Sequence, residues 1–174
     1  MFAKMIKMIT RTRPERGAAI IPAHHLFLAC GFLGKMRAII ERCVTMVSKT
    51  TRYDKPITEY PNVQAAIGKM TILYETARAC IYRSLEHMRS GRADSHFDMT
   101  FSIAKYVVAD HGKALIDIAM RIVGGRGYLE ESRYSRDLAD FSALITGAGT
   151  QDLLEVNLGV ITTNDVLMRE RTAK

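Results

Sequence analysis

Apolar positions recur at helical spacing along most of the chain, in four long blocks separated by short polar or glycine-containing breaks. In residues 24–48 they fall on Leu28, Leu33, Met36, Ile39, Ile40, Cys43, Val44 and Val47, which predicts an amphipathic helix. Pro22 is well placed to open it, because its fixed φ and missing N–H suit a first helical turn. Residues 50–61 interrupt the pattern with two prolines and a charged turn. A second helix is predicted over 62–89, with Val63, Ala66, Ile67, Met70, Leu73, Tyr74, Ala77, Cys80 and Ile81 on one face and Ser90-Gly91 as its stop. A third is predicted over 95–122, carrying Ile103, Tyr106, Val107, Leu115, Ile118, Ala119 and Ile122 and ending at Gly124-Gly125. In residues 129–144 charges are dense and apolar residues scattered, which predicts a connector with one or two short helical turns. The last helix is predicted over 150–168, with Thr150 as N-cap and Leu153, Leu154, Val156, Leu158, Ile161 and Val166 as its apolar positions.

Four long helices with short links predict an all-α fold, an up-down four-helix bundle. Residues 1–20 read as a basic N-terminal extension, 21–170 as the bundle and 171–174 as a tail. A length of 174 residues suits one compact domain with its own core. Ten methionines, no tryptophan and 7% aromatic residues favour helix packing over a β-sandwich.

The net charge of +7 admits a nucleic-acid surface, a membrane surface or an acidic small ligand such as a CoA thioester. No run of five or more Lys/Arg occurs and no aromatics interleave with the basic residues, which disfavours nucleic acid. Cys30, Cys43 and Cys80 are odd in number, lack Cys-x-x-Cys spacing and lie in helical stretches. They are expected to be buried reduced thiols, pointing to the cytoplasm. Neither a signal peptide nor a membrane span is expected, since the apolar start of the chain is interrupted by charge and no stretch of about 18 apolar residues occurs.

Several motifs in order then carry a family resemblance. Arg52-Tyr53-Asp54-Lys55-Pro56-Ile57, with Tyr60 and Gln64, resembles a Phe-Gly-Lys-Pro-Ile turn and its following Phe-Gln. Glu75-Thr76-Ala77-Arg78 resembles Glu-x-Ala-Arg, and Ser102-Ile103-Ala104-Lys105 a third-helix start. Arg121-Ile122-Val123-Gly124-Gly125-Arg126-Gly127-Tyr128 is similar to Gln-Ile-x-Gly-Gly-x-Gly-Tyr, and Arg133-Tyr134-Ser135-Arg136-Asp137 to Arg-Tyr-x-Arg-Asp. Together they resemble the C-terminal helical domain of the flavin-dependent acyl-CoA dehydrogenases over roughly residues 24–168.

The resemblance implies a bundle that, in full-length relatives, follows an N-terminal helical domain and a middle β-domain, neither of which aligns here. It also implies FAD, shared between the β-domain and bundles of neighbouring subunits, with Gly124, Gly125 and Thr150 as the retained cofactor-side positions. Other expected flavin contacts are changed. The family's arginine falls on Thr50, its turn glycine on Asp54 and its glutamine on Arg121, while its Phe-Gln becomes Tyr60-Pro61. The alternative for the glycines is that they end the third helix and permit tight packing. Arg133, Arg136 and Asp137 are expected to tie a loop to the bundle by ion pairing.

The family's reaction removes a proton α to a thioester carbonyl while hydride passes from the β-carbon to the flavin, so a positioned base is required. One branch places its glutamate in a Glu-Gly-Thr motif, where this chain reads Ala148-Gly149-Thr150. A second branch places it on the first helix, where His24 stands, followed by His25. Imidazole has an unperturbed pKa near ~6.5, so His24 is the tentative catalytic candidate. The alternative is that both histidines are first-turn residues facing solvent or a dimer partner. Arg13, in Arg11-Thr12-Arg13-Pro14, resembles an arginine near substrate in some relatives. No His spacing of metal-ligand type is present.

Three functions remain open: a dehydrogenase-derived subunit completed by a partner chain, a flavin-free catalyst isomerising or cyclising an acyl or polyketide-like substrate, and a non-catalytic homo-oligomeric bundle. A homodimer or homotetramer is expected in each, because bundle faces left open would otherwise aggregate.

Overall fold

The computed structural model describes residues 20–90 and 95–173, with side chains described from His24 onward and, after the interruption, from Met99 onward. Arg13 and most of the basic extension lie outside the described residues.

Helix α1 spans Ile20–Ser48. A two-residue hairpin follows, β1 Thr51–Arg52 against β2 Lys55–Pro56, with Thr51 opposite Pro56. Its turn residues Tyr53 and Asp54 have φ of 49° and 61°, the left-handed pair that a two-residue hairpin loop requires. After a 3-10 turn, Ile57–Glu59, helix α2 runs Pro61–Arg89, with Pro61 in its first turn. Helix α3 covers Ser95–Val123, a second 3-10 turn Gly124–Tyr128, helix α4 Arg133–Thr146 and helix α5 Gln151–Thr172.

The third helix is the centre of the bundle and touches α1, α2, α4 and α5. Its sequence explains this. Val108 with Ala109, Leu115 with Ile116 and Ala119 with Met120 are buried as adjacent pairs, so more than one side of the helix is covered. Gly112 lets α4 approach closely: a Cβ there would lie 2.0 Å from Cε1 of Phe141. The α1 and α2 cores contain Met36, Ile39, Cys43, Val47, Met70, Ala77 and Ile81, all drawn from the predicted faces. Ser84 Oγ donates to the Thr100 carbonyl across α2 and α3 at 2.9 Å.

The connector expected over 129–144 is a helix for most of its length. Tyr134, Asp137, Phe141 and Leu144 are buried at positions three and four apart, the signature of an amphipathic helix. Asp137 disguised it, because a core-facing position is occupied by a charge. That carboxylate meets Lys35 and Arg42 of α1, and the Arg42 guanidinium lies 4.7 Å from the Tyr134 ring centroid. Of the expected ion-pairing trio, Asp137 makes this tie, whereas Arg133 and Arg136 are exposed.

The last helix also differs. Only Leu154 is fully buried, while Leu153, Val156 and Val166 are exposed, so its apolar residues form two faces rather than one. All three cysteines are free; Cys43 is buried and Cys80 half-buried, but Cys30 is exposed, contrary to the expectation for it. Burial pushes the Cys43 thiol up to about 11. No helix among the described residues is long and apolar enough to cross a membrane.

Candidate functional site

The segment between α4 and α5 is short, unusual in backbone conformation and held from two sides. Gly147 ends α4, Ala148 and Gly149 have φ of 53° and 90°, and Thr150 caps α5 by accepting the Leu153 N–H at 3.3 Å. A non-glycine residue in the left-handed region costs roughly 1 kcal/mol, so other contacts must fix Ala148 there. They come from α1 and α3. His25 Nε2 donates to the Ala148 carbonyl at 2.8 Å, and Lys105 Nζ donates to the Gly149 carbonyl.

Both donors are deeply buried, His25 at 5% exposure and Lys105 at 0%. Donation to a carbonyl requires the proton on Nε2, which leaves Nδ1 of a neutral imidazole as a buried lone pair without a partner among the described residues. Burial, reinforced by the nearby Lys105 and His24 charges, holds His25 below the ordinary histidine range despite the opposing pull of the Ala148 carbonyl. Burial likewise lowers Lys105, whose ammonium meets a backbone carbonyl rather than a carboxylate.

Of the adjacent histidines, His25 therefore turns inward to the loop, while His24 is exposed. Successive helix residues project about 100° apart, so only one of the two can enter this contact. The first-helix alignment placed His24 at a base position; the loop contact belongs to its neighbour. Sequence reading had no signal for that choice, because both residues precede the first strongly periodic positions of α1.

The remaining cofactor-side candidates lie elsewhere. Gly124 and Gly125 follow α3, about 29 Å along the helix from Lys105 at 1.5 Å per residue. Thr150 is at the Lys105 end, so the structure does not bring the glycines and Thr150 together. Gly124 has φ of 68°, and a Cβ at either glycine would meet nothing within 4 Å. Gly127 is the packing glycine, since a Cβ there would lie 2.8 Å from Val123 Cγ2. Near this end a 340 Å³ groove is lined by Asn62, Val63 and Ala66 of α2 and by Ile118, Arg121 and Ile122 of α3.

The groove offers Arg121 as one cation. Thr50 Oγ1, just past α1, donates to the Met46 carbonyl of that helix at 3.0 Å, and Asp54 presents an exposed carboxylate at the hairpin tip. A diphosphate approaching the hairpin tip would meet the negative charge of Asp54.

The family profile described as acyl-CoA dehydrogenase, C-terminal domain, matches residues 23–161. The chain belongs to the acyl-CoA dehydrogenase family. It is 25% identical over 134 residues to mitochondrial isovaleryl-CoA dehydrogenase of Arabidopsis thaliana, covering 77% of this chain and 32% of that protein. It is 28% identical over 132 residues to glutaryl-CoA dehydrogenase of Desulfococcus multivorans, covering 72% and 33%. Butyryl-CoA dehydrogenase from Megasphaera elsdenii superposes with a TM-score of 0.77 at 22% identity, over 82% of this chain and 37% of that one. The chain thus spans about a third of the length of the curated relatives it matches.

The buried histidine of this acyl-CoA dehydrogenase family bundle makes stability depend on pH. Because the folded state holds His25 below its unfolded value of ~6.5, the unfolded chain takes up a proton there first as pH falls. The stabilising contribution is complete above ~6.5 and shrinks from there down to the folded value, below which it changes no further. His25→Gln, which keeps an N–H donor but does not titrate, is expected to flatten this acid limb. Thermal midpoints between neutral and mildly acidic pH check it; the same acid-side loss in both proteins would count against the buried neutral imidazole.

Proposed function

We propose that this chain is the helical-bundle component of a FAD-linked oxidoreductase acting on the CH–CH bond of an acyl thioester, and that another polypeptide contributes the flavin-binding parts these residues do not make. The observation that carries the reading is the Ala148-Gly149-Thr150 loop. It is fixed by two buried side chains, yet it has no carboxylate at the position of the family's base. A loop preserved without its base fits a subunit whose scaffold is still used while proton abstraction is supplied by the completing chain. Gly124, Gly125, Arg121 and Thr150 are the residues proposed to face cofactor, and Arg13 to lie near substrate.

Co-purification of the tagged chain from its native host tests this. The expected complex contains flavin and reduces an electron-accepting dye when given acyl-CoA, while the isolated chain does neither. A complex that contains partner protein but neither flavin nor dye reduction would overturn the reading.

One observation favours a flavin-free catalyst instead: a buried imidazole, His25, whose Nδ1 has no partner among the described residues, stands beside the loop. In that reading the exposed His24 remains the sequence candidate for proton transfer, and unchanged turnover of an identified substrate by His24→Ala removes it. In either reading the protein is proposed to work in the cytoplasm with its thiols reduced and to form a homodimer or homotetramer. Large apolar side chains remain exposed on α5, including Val156 at 63% and Val160 at 55%.

A further inference from the structure

Two buried donors from different helices converge on one short loop, and that loop leads into the most lightly packed helix of the bundle. His25 of α1 and Lys105 of α3 hold the consecutive carbonyls of Ala148 and Gly149. A Cβ at Gly149 would stand 3.8 Å from His25 Nε2 and 3.9 Å from Leu154 Cδ2, so this backbone touches both the imidazole and the start of α5. Leu154 is the one fully buried residue of the 22-residue α5, whereas the 14-residue α4 buries four. The same end of α5 is tied to α3 by Tyr106, whose hydroxyl donates to Glu155 Oε1 at 2.6 Å. A segment with so few buried apolar side chains opens at a lower free-energy cost than the core beside it.

We infer that His25 is a proton-operated latch, whose protonation releases the 147–150 loop and the start of α5 while the rest of the bundle stays folded. The inference does not depend on which reaction the chain serves. In the closed state Nε2 carries the proton donated to Ala148, and Nδ1 is buried without a partner among the described residues. Protonation therefore creates a buried N–H with no acceptor and sets a second positive charge near the Lys105 ammonium.

The surroundings of His25 contain nothing that compensates this charge. Lys105 from α3 and His24 from its own helix both oppose it, and the Ala148 carbonyl, which favours it, is outweighed by burial. The acidic residues at the start of α5, Asp152 and Glu155, are exposed, and Glu155 is engaged by Tyr106. Two routes admit water to the imidazole. Moving α1 would expose its core neighbours Leu26 and Ala29, whereas lifting the loop undocks Leu154 and frees Ala148 from its left-handed conformation, φ 53°. The second route gives up less buried surface, so release is local.

Hydrogen–deuterium exchange of the full chain tests the latch, read by mass spectrometry on peptides from α3 and α5 and corrected for the intrinsic pH dependence of exchange. Opening returns His25 to its ordinary value of ~6.5, so protection is complete above ~6.5 and falls as pH drops from there toward the closed-state value. Between pH ~7.5 and ~5.5 the opening of residues 147–158 is expected to rise by up to about tenfold, with α3 unchanged. His25→Gln keeps an N–H donor that does not titrate, and is expected to exchange alike at both pH values. Equal protection of α5 at both pH values in the parent protein would overturn the latch, as would an undiminished acid response in His25→Gln. Loss of protection in α3 together with α5 would overturn local release, because acid would then be unfolding the whole bundle.

Discussion

Gly112→Ala is expected to cost the bundle about 3 kcal/mol of stability, against the usual preference of helices for alanine. In an exposed helix interior the change would gain about 1 kcal/mol. Here the new methyl would fall 2.0 Å from a ring carbon of Phe141, a side chain with 0% exposure. Either the ring or the helix must shift: Phe141 packs edge-on to Phe32 with centroids 5.2 Å apart, and Gly112 lies on the central helix. Overpacking of this kind commonly costs about 1–3 kcal/mol, and the short distance puts this site at the upper end. Urea denaturation checks it. Phe141→Leu should remove much of the clash, so the double variant should be more stable than the two single losses added together. A Gly112→Ala protein as stable as the parent would show that α3 and α4 do not cross this closely.

Asp137→Ala is expected to lose about 3 kcal/mol. Removing one member of a buried charge cluster leaves the others without compensation, at a typical cost of about 3–5 kcal/mol. The carboxylate is only 4% exposed, but Lys35 and Arg42 are 28% and 27% exposed and recover some hydration, which favours the lower figure. Lys35 also reaches Asp140, so the larger share of the loss should run through Arg42. In a double-mutant cycle Asp137→Ala with Arg42→Met should therefore show coupling above about 1 kcal/mol. A loss below about 1 kcal/mol for Asp137→Ala would mean that α4 is held by the packing of Tyr134, Phe141 and Leu144.

These two sites also show what a single sequence makes legible. The faces of α1, α2 and α3 were readable because Met36, Ile39, Met70, Ala77 and Leu115 repeat at helical spacing and are buried as that spacing requires. Helix α4 was hidden because two of its determinants are not apolar periodicity: Asp137 is a charge buried by its α1 partners, and Gly112 is a space on another helix. The same limit applies to the candidate site. Ala148 could be read as a lost base from its motif, and the first helix could be searched for a substitute. Which of His24 and His25 reaches the loop depends on helix rotation, and the role of Lys105 depends on α3 passing the same carbonyls. Neither follows from local sequence. On α5 the apolar positions were identified correctly as residues, but their division between bundle and solvent depends on how little of α3 the helix covers.

The visible absorbance spectrum of the purified chain, expressed without a partner, tests most directly whether the family fold here has been separated from a self-sufficient flavin site. With Thr50 and Asp54 at the expected diphosphate contacts and Ala148 at the base position, the predicted result is a folded helical protein without a flavin band, even after incubation with excess FAD and desalting. A yellow protein carrying one flavin per chain, bleached by an acyl-CoA, would contradict it.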